Sequence, residues 1–248
     1  MATTGQGIGY TGEDLLEEYI SCHIGSESQL LRDLYRETNL RLLNPRMASG
    51  HIQGRLLKML VTMIRPQTVL EVGTFTGYAT LCMAEGLPDG GVIHTVEIDD
   101  ELEDFIMKGV ERSSYSDRIR LHIGDALKVV PELGLKFDMI FLDGEKREYP
   151  DYYTVLLDYL KPGGYMIADN TLWDGHVVDS EYDRDPQTVA VRKFNDMAAS
   201  DDRVEVAMIP IRDGLTIIRK KPIANSQSLE YGQYKTTENF QTNPEGTE

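Results

Sequence analysis

Five short runs rich in β-branched and aromatic residues recur along this sequence, with helix-like segments between them. They are TVLEV (Thr68 to Val72), GVIHTVE (Gly91 to Glu97), IRLHIG (Ile119 to Gly124), FDMIFLD (Phe137 to Asp143) and GYMIAD (Gly164 to Asp169). A strand that alternates with a helix must cross over to rejoin its sheet, and such crossovers are right-handed and favour parallel pairing. The expected fold class is therefore α/β, a mostly parallel sheet with helices on both faces. After Asp185 comes one more helical stretch, then RVEVAMIPI and GLTIIRKK with only Arg212 and Asp213 between them. So short a link suits an antiparallel pair at the sheet edge. The count reaches seven strands, the last antiparallel.

Upstream, the stretch from Asp14 to Leu43 places apolar residues at helical spacing among charges and reads as two amphipathic helices. A third such stretch runs from His51 to Ile64 and stops at Arg65-Pro66, because proline biases its predecessor out of the helical region. We expect residues 1–50 to be a helical extension of the same domain, 51–220 its core, and 221–248 a polar, mobile tail. In that tail Tyr231, Tyr234 and Phe240 are the candidates for docking.

Charge narrows the partners. Twenty-five Lys and Arg against 41 Asp and Glu among 248 residues give a formal charge of −16, which repels phosphate backbones and anionic lipid. No apolar run approaches the roughly 18 residues that span a bilayer, and the first ten residues have neither a basic nor an apolar leader segment. The expected location is the cytoplasm. Cys22 and Cys82 show no metal-binding or disulfide spacing, so two reduced, buried thiols are expected.

In an open parallel sheet, ligands sit at the carboxyl ends of the strands near the point where strand order reverses. The first strand ends in Glu71-Val-Gly73-Thr-Phe-Thr76-Gly77 and feeds a helix, without the dinucleotide pattern GxGxxG. Glu71 would repel a diphosphate, so this loop suits a cofactor with a positive centre, or is simply a tight turn. Glu97 ends the second strand, where a carboxylate accepts hydrogen bonds from both ribose hydroxyls. Asp125 follows the third and reads equally as a helix N-cap or as part of adenine recognition. Three carboxylates at successive strand ends are costly to desolvate unless something cationic pairs with them.

The fourth strand ends at Asp143 and the fifth at Asp169-Asn170. Two carboxylates and an amide oxygen form a hard-oxygen set suited to magnesium, manganese or calcium, with helix capping and turn formation as the alternative. Lys146 follows closely, and beside a divalent cation its ammonium is disfavoured, giving a lowered pKa and a proton-accepting role. Without such a cation it is a solubilising surface lysine. Trp173, the only tryptophan, either shields the flat face of an acceptor or packs on its own loop.

With those residues placed, LEVGTFTGYAT, LDGEKREYPDYY, KPGGYMIADNTLWDGHV and IPIRDGLTIIR resemble, in order and spacing, successive motifs of the cation-dependent O-methyltransferases. That family holds the catechol and caffeoyl-CoA enzymes and many small bacterial relatives. The likeness runs from about Asp14 to Lys220. It implies S-adenosylmethionine as methyl donor, a divalent cation such as Mg2+, a seven-stranded Rossmann-like methyltransferase fold and a homodimer. Matched position by position, it places Ser49, Glu71, Gly73, Thr74, Glu97 and Ala126 at the cofactor, with Asp125 and Asp143 beside them. It also implies Asp143, Asp169 and Asn170 as metal ligands and Lys146 as general base, and it sets Glu145 and Asp174 near the acceptor, where Trp173 joins them. The plant pattern has asparagine at Asp174, which speaks against a caffeoyl-CoA acceptor, and at Ala79 a serine whose hydrogen bond is missing here.

The expected reaction is methyl transfer to a hydroxyl of a small catechol-like or vicinal-diol acceptor. A hydroxylated uridine in transfer RNA is the competing acceptor; the net charge opposes it, although Arg32, Arg36, Arg41 and Arg46 could form a local basic face. A nucleoside-binding module without catalysis and a nicotinamide oxidoreductase are the other readings. The intact Asp143, Lys146, Asp169 and Asn170 oppose the first, and the missing GxGxxG opposes the second.

Overall fold

The computed structural model describes residues 12–222, so the expected tail with Tyr231, Tyr234 and Phe240 lies outside the described residues. Three helices come first, α1 (Gly12–His23), α2 (Gln29–Arg41) and α3 (Gly50–Ile64). Then β1 (Thr68–Val72), α4 (Tyr78–Ala84), β2 (Val92–Glu97), α5 (Glu103–Glu111), β3 (Ile119–Ile123) and α6 (Ala126–Leu133) alternate. The second half runs β4 (Phe137–Leu142), α7 (Tyr149–Tyr159), β5 (Leu160–Asp169), α8 (Pro186–Ser200), β6 (Val204–Ile209) and β7 (Leu215–Lys220). All seven expected strands form, in the order β3-β2-β1-β4-β5-β7-β6. The first five are parallel, and β7 runs antiparallel to both of its neighbours.

Central strands covered on both faces read as continuous apolar runs. In β1 and β4, alternate residues serve opposite layers. Leu70, Val72, Ile140 and Leu142 face a core shared with α6, α7 and α8, where Phe194 and Tyr149 are fully buried. Val69, Met139 and Phe141 face the other core, built with α2, α3, α4 and α5 around Leu34, Leu57 and Ile106. Both cores are needed to hold β1 against β4, the pair at which strand order reverses.

One strand boundary and one cysteine differ from expectation for identifiable reasons. The fifth strand begins at Leu160 rather than Gly164, because Leu160 pairs with Phe137 and a register shift before Met139 absorbs the intervening residues. Cys82 is buried as expected, but Cys22 is exposed. It lies on α1, where Leu15, Leu16 and Tyr19 are also exposed, so that helix gives its thiol no core to enter.

The switch point is tightly built. Val72 pairs with Leu142, so the chain leaves both strands side by side at Gly73 and Asp143. Gly73 has φ +92°, and a Cβ there would lie 2.3 Å from the Asp143 carbonyl oxygen. Only glycine allows this approach. Among the described residues no helix is long and apolar enough to cross a membrane.

Candidate active site

A cavity of about 910 Å³ opens across the switch point, walled by the ends of β1, β2, β4 and β5, the loop before α3 and the β6–β7 turn. Phe75, Asn170, Trp173 and Arg212 line it, and all four hold φ between 47° and 56°, a left-handed backbone that a side chain makes unfavourable. Such strain concentrates where a site must hold a fixed shape. Gly73, Thr74 and Ala79 line the same cavity from the β1 side.

At the β2 end, Glu97 is held by two backbone donors. The Phe75 N–H reaches Oε2 at 2.7 Å and the Asp99 N–H reaches Oε1 at 3.0 Å. These bonds fix both oxygens at the cavity wall with lone pairs to spare. Glu71 lies deeper, with no exposed surface. The hydroxyls of Thr80 and Thr95 both donate to its Oε2, while Oε1 has no partner among the described residues. Burial above all, with the Asp143 and Glu97 carboxylates adding to it against the threonine bonds, pushes its pKa up to about 8. Glu71 is thus set behind the cavity, outside its lining, and not beside Glu97 at the wall where the sequence had grouped it.

The β4 and β5 ends bring Asp143, Lys146, Asp169 and Asn170 to one wall. Lys146 is 8% exposed, and its Nζ donates to Asp143 Oδ1 at 2.9 Å and to the Tyr149 hydroxyl at 2.7 Å. Tyr149 in turn donates to the Asp169 carbonyl at 2.9 Å, so α7 and β5 fix the ammonium between them. The lowered Lys146 pKa expected from the sequence belongs to a site that holds a divalent cation; with Asp143 and Tyr149 as its partners the direction is upward. Burial disfavours the charge, but the Asp143 carboxylate and the Tyr149 hydroxyl outweigh it and hold the ammonium above the usual lysine range. Asp169 is pushed up to about 6, first by burial and then by the Asp143 carboxylate.

Asn170 donates through Nδ2 to Asp213 Oδ2 at 3.3 Å, which leaves its amide oxygen for another donor or a cation. Backbone bonds from Leu172 and Trp173 to the Asp213 carbonyl, at 2.7 and 3.1 Å, tie this loop to the β6–β7 turn. The three oxygen donors therefore meet in one cavity, with two like charges facing each other. That donor chemistry fits a hard divalent cation.

The other sequence candidates are placed unequally. Ser49 lines the cavity just before α3, and Glu145 does so after β4, held by Arg147 at 3.0 Å and Gln187 at 3.4 Å. Trp173 lines the cavity, whereas Asp174 is exposed and outside the lining. Asp125 accepts the Leu127 N–H at 2.9 Å as the N-cap of α6, and neither it nor the buried Ala126 lines the cavity. Sequence reasoning missed Gln53, Tyr149, Arg212 and Asp213. Tyr149, Arg212 and Asp213 stood in quoted motifs, the last two read there as a turn, whereas Gln53 stood in none.

An α/β sheet with a ligand cavity across its switch point defines the Rossmann-like enzymes as a class. A family model described as O-methyltransferase matches residues 19–221. The caffeoyl-CoA O-methyltransferase of Stellaria longipes is 30% identical over 204 residues, covering 78% of this chain and 84% of that protein. Caffeoyl-CoA O-methyltransferase 1 of Eucalyptus globulus is 34% identical over 190 residues, covering 70% and 75%. Among solved structures, the O-methyltransferase of Bacillus cereus in complex with SAH superposes with a TM-score of 0.79 at 27% identity, covering 84% of this chain and 97% of that one. The chain belongs to the O-methyltransferase family.

Proposed function

We propose that this enzyme transfers the methyl group of S-adenosylmethionine to one hydroxyl of a small catechol-like or vicinal-diol acceptor, with the help of a divalent cation, magnesium first. The observation that carries this reading is the meeting of Asp143, Lys146, Asp169 and Asn170 in the cavity that Glu97 also lines. The relatives named for caffeoyl-CoA support the acceptor class, and the SAH-bound Bacillus cereus structure supports the donor.

Glu97 and the loop from Gly73 to Ala79 would hold the donor, which supplies an electrophilic methyl carbon. Asp143, Asp169 and the Asn170 amide oxygen would hold the cation, which supplies Lewis acidity that lowers the pKa of an acceptor hydroxyl. A free phenol, with a pKa near 10, is otherwise mostly protonated. Lys146 receives that proton as the neutral amine. The Asp143 carboxylate is the largest influence that keeps Lys146 charged, so engaging Asp143 with a cation would shift the balance toward the amine, which burial favours. In the transfer the acceptor oxygen gains the methyl, the sulfur–methyl bond breaks, and the sulfur keeps the bonding pair. Trp173 covers the acceptor side of the cavity and excludes water.

The small acceptor is preferred to transfer RNA. The formal charge of −16 repels a phosphate backbone, and of the four arginines that could offset it Arg32 is occupied by Glu27 and Gln29 at 2.5 and 2.9 Å, while Arg41 and Arg46 line the cavity. The deciding assay is methyl transfer from labelled S-adenosylmethionine to a catechol panel, with magnesium and with excess chelator. Transfer that chelator removes is the expected result; transfer untouched by chelator would sink the metal role. No transfer, with salt-sensitive binding of bulk transfer RNA, would favour the other acceptor.

Tyr149→Phe tests the lysine geometry. Removing one hydrogen bond to the charged amine should lower kcat about tenfold, the scale of roughly 1.5 kcal/mol that such bonds contribute. Steady-state kinetics would show it, and an unchanged kcat would mean that Asp143 alone places Lys146.

A further inference from the structure

Asp169 has two carboxylate oxygens, and one is already taken. Gln53, on α3, donates through Nε2 to Asp169 Oδ2 at 2.5 Å. Arg212 donates through Nη1 to Gln53 Oε1 at 3.1 Å and also to the Ser49 carbonyl. A guanidinium has only donors, so it can engage the oxygen end of the Gln53 amide alone. The amide is thereby turned with its N–H toward Asp169 and cannot flip.

The arrangement is costly and specific. Gln53 is buried, and Arg212 adopts φ 47°, a backbone that suits glycine better than arginine. It also joins three separate elements, the β6–β7 turn, α3 and the end of β5. A calcium ion takes six to eight oxygens and readily uses both oxygens of one carboxylate, whereas magnesium keeps to an octahedron of single contacts.

We propose that Arg212 and Gln53 form a positioning relay that occupies Asp169 Oδ2, leaves Asp169 one oxygen for a divalent cation, and so selects a small octahedral ion over calcium. This rests on the metal-dependent reading above. Arg212 and Gln53 are positioning residues, acting on the cation through Asp169. A purely structural tie between α3 and the β6–β7 turn would hold the fold together without changing the ratio of two cation affinities.

The test is titration calorimetry of the full chain with magnesium, manganese and calcium chlorides, on the parent and three variants. Arg212→Gly removes the guanidinium and suits the local φ, so the turn should keep its shape. Gln53→Met keeps the length and removes both hydrogen bonds, and Arg212→Lys restores one donor. The parent should bind magnesium and manganese more tightly than calcium. That preference should shrink about tenfold in Arg212→Gly and at least as much in Gln53→Met, the lower end of the range for groups that orient metal ligands. Arg212→Lys should recover most of it. An unchanged preference in variants whose melting curves remain cooperative would overturn the relay alone. A parent that binds no divalent cation would overturn the metal reading and the relay together.

Discussion

Asp143→Asn is expected to lower kcat on the order of 10³-fold, the scale lost when one preorganised electrostatic contact is removed. The residue sits where three functions meet. Its carboxylate holds the Lys146 ammonium at 2.9 Å, faces Asp169 across the cavity, and belongs to the oxygen set that fits a cation. Asparagine keeps the shape and can still accept from Lys146, but it carries no charge. The fold should survive, because the Lys146 amine keeps its bond to the Tyr149 hydroxyl at 2.7 Å and can still donate to the asparagine oxygen. Single-turnover kinetics and circular dichroism would separate these effects. Turnover within tenfold of the parent would remove Asp143 from the chemistry.

Glu71→Gln should change how stability depends on pH. The folded chain holds the Glu71 proton up to about 8, whereas the unfolded chain releases it near 4.5. Between those values the folded state binds more protons, so stability falls as pH rises through this window. At 1.36 kcal/mol per unit, the full difference is roughly 5 kcal/mol. Glutamine never ionises, so the variant should approach the parent in Tm near pH 5 and exceed it near pH 9. Asp169, pushed up to about 6, gives a slope of the same sign, but it is present in both proteins and cancels in their difference. A Tm difference that does not change with pH would mean that Glu71 is ionised in its threonine cradle.

Much of this architecture was legible because its signals are local. The β-rich runs carry their own pattern, and a short link around Arg212 and Asp213 pointed to the antiparallel pair, although in the structure that link spans residues 210–214 and not two residues alone. Asp143, Asp169 and Asn170 could be grouped because parallel strands deliver their carboxyl ends to one side. What depends on distances between remote elements was not legible. Gln53 is one glutamine in an amphipathic helix, and nothing in its neighbours announces a carboxylate 116 positions away. The charge of Lys146 could not be read from the sequence, because it depends on how closely Asp143 and Tyr149 approach it. Cys22 was misplaced because amphipathic spacing says which face of a helix is apolar, not whether anything covers it.

The last strand in the chain, β7, is inserted between β5 and β6. While the protein is being made, β5 must therefore wait as a bare edge, with Met166, Ile167 and Ala168 lacking the partners that Ile218, Ile217 and Thr216 will become. A ribosome that stalls before Leu215 releases a sheet whose central apolar strand invites any other nascent chain to pair with it. Translation pace across β6 and β7 thus bears on the yield of native enzyme, and synonymous codon changes there should alter the soluble fraction with no change in amino-acid sequence.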